Sequence, residues 1–240
     1  RSLLLKKTSI FNLLRRKSKL KILHITNFNE RHNGRLFYNT GRRINNGFIR
    51  LNHSVLELSD RDIVSYSRKF TDLKGSQKLN TKLIDIVSNY VPDLIVFGHA
   101  DLIDNKSIEF IKMNYPDTKM CQWFLDRMDG EWHTNKDRFT KKMHLMDANF
   151  CTTDPKALNF KKDYFTYYMP NCVDPSLEKL KTYNKDFYKS DVFFAMSHGV
   201  HRGVLKRGKI DKREIFINKL MKITPDIRFD LYGMNNVQPI

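Results

Sequence analysis

The sequence predicts an α/β protein built on a Rossmann-like parallel sheet with helices on both faces. Two observations lead to this prediction. Short apolar runs such as KILHIT, LIVFG and DVFFAM alternate along the chain with longer segments whose apolar residues recur at helical spacing. The apolar runs are continuous, and such runs are typical of strands that are buried on both faces of a parallel sheet.

The elements are predicted in the following order. The first strand lies in KLKILHITNF and ends in the polar loop NERHNG. A helix follows, because five residues share one helical face: Phe37, Thr40, Ile44, Phe48 and Leu51. SVLELSD is the second strand, KLNTKLIDIVSNYV a helix and PDLIVFGHAD a central third strand. The remaining strands are TKMCQWFLD, ANFCTTD and YFTYYMPN, with helices in NKSIEFIKMNYP and NKDRFTKKMHLMD.

The periodicity breaks around Cys172, where proline-linked turns favour a crossover between domains. DVFFAM, REIFINKLMKI and IRFDLYG then predict the first βαβ unit of a second Rossmann-like domain. The predicted organisation is a basic segment at 1–18, a first domain at 19–184 and the incomplete start of a second domain at 185–240. Because the chain starts at Arg1 and stops just after a strand, both ends are expected to be cuts within a longer protein.

The formal net charge of +17 points to an anionic partner, namely nucleic acid, an acidic membrane surface or a phosphorylated small molecule. The three cysteines form an odd set without metal-type spacing, which argues against a disulfide framework and a zinc site. A reducing compartment, the cytoplasm, fits this pattern best. Segment 1–18 has no apolar run long enough for a signal peptide or a membrane span.

Segment 1–18 has two interpretations. Its apolar side chains can share a helical face beside lysines and arginines, as in a helix that lies on an anionic membrane, here the inner membrane face. The alternative is a frayed basic tail, or a helix packed on its own domain.

Basic and glycine residues follow DVFFAM in the stretch SHGVHRGVLKRG, before a predicted helix. Many folds build a phosphate site in this way, because glycines allow close backbone approach while cationic side chains and a helix N-terminus favour an anion. The alternative is a solvated basic turn.

Polar residues also follow two central strands. His99 and Asp101 end LIVFGHAD, and Asp126 and Asp129 come after CQWFL. Ligands bind at the carboxyl ends of parallel strands, so these side chains are candidates for chemistry, with capping or turn roles as the alternative. Trp123, inside a strand, is expected in the core, whereas Trp132 in a polar loop is the better candidate for stacking on a sugar ring.

The first loop, NFNERHNGR, is expected to form another wall of this site. Asn27, Arg31, Gly34 and Arg35 lie where the first strand turns toward its helix. The loop lacks the G-x-G-x-x-G fingerprint, which disfavours a dinucleotide enzyme.

Six segments in this order carry a resemblance to a known enzyme family. They are KILHITNFNERHNGRLFYNTGRRINNGFIRLNH, PDLIVFGHADLI, CQWFLDRMDGEW, FCTTDPKAL, YMPNCVDPS and DVFFAMSHGVHRGVLKRG. On these segments, nearly the whole chain after Lys19 resembles the GT-B glycosyltransferases, specifically the bacterial spore-maturation-like and family-1-like group. The resemblance implies two Rossmann-like domains that face a cleft, with the acceptor on the first and the nucleotide sugar on the second.

The resemblance also implies roles for the candidate residues. His99 resembles the strand-end histidine that lines the sugar site in retaining relatives, while Asp126 would be the base in an inverting enzyme. The donor diphosphate would meet the basic loop at four residues: Gly199, Arg202, Lys206 and Arg207. A glycan, lipid or other hydroxyl acceptor would meet the strand ends and the first loop: Asn27, Arg31, Gly34, Arg35, Asp101, Asp129 and Trp132. No cofactor is implied beyond the nucleotide-sugar donor, and the acidic residue that binds its ribose or sugar would come after Ile240, so this chain alone is expected to be inactive.

Other classes of protein stay open at this point. A basic chain rich in Tyr and Phe is compatible with a nucleic-acid-binding α/β module, but its charges are spread along nearly every segment and no RRM, KH or zinc-knuckle motif is present. A non-catalytic scaffold is a further alternative. Asp60 to Asp62 has the D-x-D form of metal-dependent GT-A enzymes, but solvated acids are expected there and no metal site is predicted. His24 and His32 lack a metal-ligand partner at suitable spacing.

Overall fold

The computed structural model describes residues 19–68, 72–73, 75–160, 164–196 and 210–233. Two predictions lie outside these residues. One is the interfacial helix in segment 1–18, and the other is the donor-binding loop with its four residues: Gly199, Arg202, Lys206 and Arg207. The chain divides into two compact units, one up to Lys179 and the other from Leu180, which is five residues before the predicted boundary.

The first unit contains a six-stranded sheet in the order β2-β1-β3-β4-β5-β6, and every neighbouring pair is parallel. The strands are β1 (Lys21–Thr26), β2 (Ser54–Ser59), β3 (Leu94–Gly98), β4 (Lys119–Phe124), β5 (Ala148–Cys151) and β6 (Thr166–Tyr168). The predicted α/β class with a Rossmann-like parallel sheet is confirmed. The strand order reverses between β1 and β3, so the topological switch point of the sheet lies there.

Five α-helices of the first unit are described. They are α1 (Thr40–Arg50), α2 (Asp60–Ser67), α3 (Ser76–Tyr90), α4 (Asn105–Asn114) and α5 (His133–Met143). No helix in the described part of the chain combines the length and the apolar character needed to span a bilayer.

The central strands β1, β3 and β4 are buried on both faces along most of their length, whereas the edge strands β2 and β6 are partly exposed. On one face, Leu23 and Phe97 belong to a cluster that includes Leu83 of α3 and Ile108 of α4. On the other face, Ile22, Val96 and Trp123 pack with Ile44 and Phe48 of α1. A third cluster joins Phe124 of β4 to Phe139 and Met143 of α5. Helices therefore cover both faces of the sheet, and Trp123 is in the core as predicted.

Two local expectations are wrong. The first helix was expected to include Phe37, but α1 begins at Thr40, where the Asn39 side chain accepts a hydrogen bond from the N–H of Arg42. The acids of the D-x-D stretch were expected to be solvated. Instead, Asp60 and Asp62 lie in the first turn of α2, a helix that was not predicted, and both carboxylates are buried.

The second unit contains β7 (Val192–Met196), α6 (Lys212–Ile223) and β8 (Phe229–Gly233). The strands β7 and β8 pair in parallel, which confirms the predicted βαβ unit. Large apolar side chains are exposed on both its strands and its helix, for example Phe193, Phe216, Ile223 and Tyr232.

Candidate active site

The candidate site lies at the carboxyl edge of the sheet, beside the switch point between β1 and β3. All strands of the first unit are parallel, so the segments that follow them meet at this one edge. His99 and Asp101 directly follow β3, and Asp126 follows β4 after one intervening residue. The structure therefore brings these predicted residues to one edge, and their functional roles stay predictions.

His99 is held in an unusual conformation by its neighbours. Its backbone φ is 52°, in the left-handed region that side-chain-bearing residues rarely adopt. Its ring stacks on Phe124 with a centroid distance of 4.2 Å and meets Trp123 edge-on. Such strain concentrates at functional sites, because surrounding contacts must hold the residue in place.

Hydrogen bonding determines the proton position on His99. The N–H of Leu125 donates to Nε2 over 3.1 Å, so Nε2 is an acceptor. The neutral ring then carries its proton on Nδ1, which lies 3.7 Å from Oδ2 of Asp126. Burial lowers the pKa of His99, while the charges of Asp126 and Asp101 oppose this effect. His99 is thus a donor through Nδ1, and it cannot accept a proton at Nε2 without losing the bond from Leu125.

Asp126 is the exposed member of this pair. Its side chain keeps 56% of its surface accessible, compared with 21% for His99. Among the described residues, no arginine or lysine lies within 4.0 Å of its carboxylate. The carboxylate therefore retains acceptor capacity for a ligand hydroxyl at the edge of the sheet.

Asp101 connects two arginines from different helices. Its Oδ2 accepts from an Arg61 side-chain N–H over 2.9 Å and from an Arg138 side-chain N–H over 2.7 Å. Arg61 belongs to α2 and Arg138 to α5, so Asp101 positions both helices at the edge. The sequence predicted that Asp101 contacts the sugar acceptor. Its hydrogen bonds to the two arginines indicate a positioning role, and contact with the sugar acceptor stays a prediction.

Asp60 and Lys142 are buried charged groups close to Asp101. Burial raises the pKa of Asp60 to about 6, although the N–H and charge of Arg61 oppose this effect. One carboxylate oxygen of Asp60, Oδ2, is buried without a hydrogen-bond partner. Burial also lowers the pKa of Lys142, whose charge interacts with Asp60, Asp101 and Asp104. Perturbed groups at a strand edge are typical of functional sites.

The loop after β1 is anchored by Asp62. Its carboxylate accepts hydrogen bonds from the backbone N–H groups of Glu30 and Arg31, from the Arg31 side chain and from the hydroxyl of Ser59. Burial opposes ionisation of Asp62, but these bonds outweigh it and lower the pKa. Arg31 also donates to the side chain of Asn27 over 3.2 Å. Asn27 and Arg31 thus come together as predicted neighbours, with Arg31 acting as a loop anchor.

The other predicted acceptor residues are more exposed. Gly34 has a φ of 82°, and there is open space where a side chain would project, while Arg35 is on the surface. Asp129 forms an exposed pair with Arg127, and this bonding lowers the pKa of Asp129. Trp132 lies in a short 3-10 turn after β4 and is 44% exposed. Part of its side chain is therefore open to solvent, and its acceptor contact stays a prediction.

A buried polar network runs beneath the edge. Trp123 donates to Nε2 of His24, whose Nδ1 faces the Asn45 side chain, and Asn45 donates to Glu57. Burial lowers the pKa of His24 to about 4, so the ring is neutral at physiological pH. His24 is therefore a satisfied structural residue.

The potential metal ligands and the thiols of the described residues have the following surroundings. No group of three or more His, Cys, Asp or Glu side chains is placed there to hold a metal ion. Burial raises the pKa of Cys121 to about 12 and that of Cys151 to about 11, which disfavours their reactive thiolate forms.

Sequence reasoning found His99, Asp101 and Asp126 but missed the groups that surround them. These groups are Asp60, Arg61, Arg138 and Lys142. A signal for the first two was present in DRD, which begins at the last residue of a predicted strand and whose acids were expected to be solvated. Arg138 and Lys142 lie on α5, where charged residues are ordinarily solvated, so the sequence carried no comparable signal for them.

No protein-family model matches this chain, and no curated protein matches its sequence significantly. Its function is therefore inferred from the fold and from the geometry of this edge.

Proposed function

We propose that the chain is the acceptor-side part of a GT-B-type glycosyltransferase, which moves a sugar from a nucleotide sugar to a hydroxyl acceptor. The observation that supports this proposal is the pair formed by His99 and Asp126 at the carboxyl edge, next to the switch point of a Rossmann-like parallel sheet. Ligands of open α/β sheets bind at this position. The resemblance of the sequence segments to this enzyme class supplies the reaction type.

In the proposed reaction, the acceptor hydroxyl oxygen attacks the anomeric carbon of the donor sugar. The bond from that carbon to the diphosphate oxygen breaks, and the hydroxyl proton passes to the carboxylate of Asp126. His99 donates from Nδ1 and orients this carboxylate or a sugar hydroxyl, since its Nε2 already accepts from Leu125. The donor diphosphate would be bound by the loop that contains Arg202 and Arg207.

The first prediction concerns turnover. Asp126→Asn and His99→Ala are each expected to lower kcat by roughly two orders of magnitude, the scale of one lost transition-state contact. His99→Asn should retain more turnover than His99→Ala, because asparagine tolerates the left-handed backbone and offers an N–H near the position of Nδ1. Transfer is measured with the full-length protein and a panel of nucleotide sugars.

Two controls accompany this measurement. Donor affinity, from calorimetric titration, should be nearly unchanged in these variants, and melting curves should show that they are folded. Wild-type turnover in both Asp126→Asn and His99→Ala would move the active site elsewhere.

A second measurement distinguishes the transferase from a nucleic-acid-binding module. Saturable binding of a nucleotide sugar, weakened about ten-fold by Arg202→Ala, supports the transferase, because a charge-assisted pair contributes about that much. Tight oligonucleotide binding with a steep loss at rising salt, and no nucleotide-sugar binding, would favour the module instead.

A further inference from the structure

Arg61 and Arg138 meet at the carboxyl edge although 76 residues separate them in the sequence. Each donates to the same oxygen of Asp101, over 2.9 and 2.7 Å respectively. The two donor nitrogens are therefore within about 6 Å of each other, since both are at hydrogen-bond distance from one atom. A tetrahedral anion can bridge two guanidinium groups at this separation.

We propose that Arg61 and Arg138 form a binding site for a phosphate group and, resting on the proposed function, that the sugar acceptor carries this phosphate. The acceptor that binds at the carboxyl edge would then be an alcohol that bears a phosphate, either a soluble molecule or a lipid headgroup.

Unused donors support this site. A guanidinium has five N–H donors, and within the described residues Arg61 donates one hydrogen bond while Arg138 donates two, to Asp101 and Asn135. Both side chains keep more than a third of their surface accessible, at 39% and 36%. Donors without a protein partner on these partly exposed side chains are available to an anion.

The arginines are also held in place before a ligand arrives. Asp101 fixes one nitrogen of each, and the Arg138 guanidinium lies 5.4 Å from the centre of the Phe124 ring. His99 stacks on that same ring. The charges of both arginines and of Asp126 act on His99, so a phosphate at the arginines would lie in the same part of the edge as the proposed reacting residues.

Lys142 adds a third positive charge, which interacts with Asp101, and its side chain is only 4% exposed. Acidic groups near it, Asp60, Asp101 and Asp104, balance this charge in the free protein. The competing interpretation is that the two ion pairs only join α2 and α5 to the loop after β3. Phosphate binding distinguishes these interpretations.

The test is direct titration of the full 240-residue chain at constant ionic strength with two probes, inorganic phosphate and glycerol 3-phosphate. Arg61→Gln and Arg138→Gln are each expected to weaken binding about ten-fold or more. Arg138→Lys should bind more weakly than wild type but more tightly than Arg138→Gln, because lysine keeps the charge and loses the planar fork.

Arg68→Gln is the matched control, since Arg68 is an exposed arginine at the other end of α2. It should bind both probes as wild type does. Melting curves establish that each variant is folded. Affinity that is unchanged in both test variants, or that falls equally in Arg68→Gln, overturns the proposal.

Vesicles identify the source of the phosphate. Co-sedimentation with phosphatidic acid in phosphatidylcholine, above that with phosphatidylcholine alone and lost in the Arg61→Gln variant, assigns a lipid headgroup. Binding of glycerol 3-phosphate alone assigns a soluble acceptor, and binding of neither probe nor vesicle overturns the site. The titration contains no nucleotide sugar, so it tests the phosphate site independently of sugar transfer. Phosphate binding by this chain, together with a full-length protein that transfers no sugar from any nucleotide sugar, would contradict the proposed function only. Sugar transfer with no loss of phosphate binding in either arginine variant would contradict this inference only.

Discussion

Two buried carboxylates at the start of α2 have opposite electrostatic environments although only one residue separates them. Asp60 has an unpartnered oxygen and a pKa raised to about 6, whereas hydrogen bonds to Asp62 lower its pKa. The charged form of Asp60 therefore destabilises the fold, and the charged form of Asp62 stabilises it. Residues that lower stability in this way are typically found where activity requires them.

Asp60→Asn is expected to stabilise the protein at neutral pH. The folded pKa of Asp60 lies above its ordinary value of 3.8, so its ionisation costs stability as pH rises through about 6 and costs nothing below 3.8. Well above pH 6, the difference between the folded and the ordinary pKa of Asp60 lowers the free energy of unfolding by about 3 kcal/mol. Urea unfolding of both proteins should show this gain at about pH 8 and almost none near about pH 4.

Asp62→Asn is the matched comparison, with the opposite sign. The pKa of Asp62 in the folded wild-type protein is lowered, so its ionised carboxylate contributes stability above the unfolded pKa. This contribution is lost as pH falls through the folded pKa. This variant should be destabilised at neutral pH and approach wild type in acid. A loss of stability in Asp60→Asn at about pH 8 would show that its charge is compensated in the fold.

Gly98, at the end of β3, is required by close packing. A Cβ atom there would lie 2.1 Å from Cζ2 of Trp123 and 2.8 Å from Oγ1 of Thr26. Gly98→Ala is therefore expected to destabilise the fold by about 1–3 kcal/mol or more, because the indole must move. Unfolding curves and the fluorescence of Trp123 report this change.

Gly47 provides the control within α1. Apart from the adjacent residues and the backbone of α1 itself, no atom lies within 4 Å of a Cβ placed there, so Gly47→Ala should stabilise the helix by up to about 1 kcal/mol. An equal change in the free energy of unfolding for Gly98→Ala and Gly47→Ala would show that the sheet edge tolerates displacement of Trp123.

At the scale of elements, the segment after β6 is fixed to α1 by one buried carboxylate. Asp174 accepts from Asn46 and Arg50 of α1 and from both donors of Ser176. Burial opposes its ionisation, but the bonds from Ser176, Arg50 and Asn46 hold its pKa well below the ordinary range. Glu178 adds an ion pair with Arg43, so the segment is docked at two points.

Asp174→Ala is expected to release this segment without unfolding the sheet. Amide hydrogen exchange at 172–179 should become about ten-fold faster or more, because local opening no longer breaks the buried bonds. Exchange in β1 and β3 should be unchanged. Asp186→Ala, which removes an exposed carboxylate, serves as control, and similar exchange in both variants would refute this anchoring role.

The strands could be predicted because short, largely apolar runs such as LIVFG alternate with helical segments, and the parallel order then places His99 near Asp126. The helix α2 could not be predicted, because its eight residues follow β2 without a loop and contain only two aliphatic side chains, Ile63 and Val64. The pairing of Arg61 with Arg138 was also hidden. It depends on the approach of two helices to one carboxylate, and helical periodicity carries no information about such tertiary contacts.

At the scale of the whole molecule, the two units differ in how much apolar surface they bury. The first has a six-stranded sheet with three buried apolar clusters. In the described part of the second, Met196 and Ile217 are the only buried hydrophobic residues. Two strands and one helix rarely bury enough surface to be stable alone, whereas a sheet covered on both faces is a complete core.

A fragment of residues 19–179 is therefore expected to fold independently and to unfold in a single cooperative transition, followed by circular dichroism in urea. A fragment of residues 180–240 should show no cooperative transition, since its strands and helix leave large apolar side chains exposed. If the first fragment is folded, it should also retain the phosphate affinity of the full chain, because Arg61, Asp101 and Arg138 all belong to the first unit. A first fragment that unfolds without cooperativity would mean that this unit depends on residues outside 19–179 for its stability.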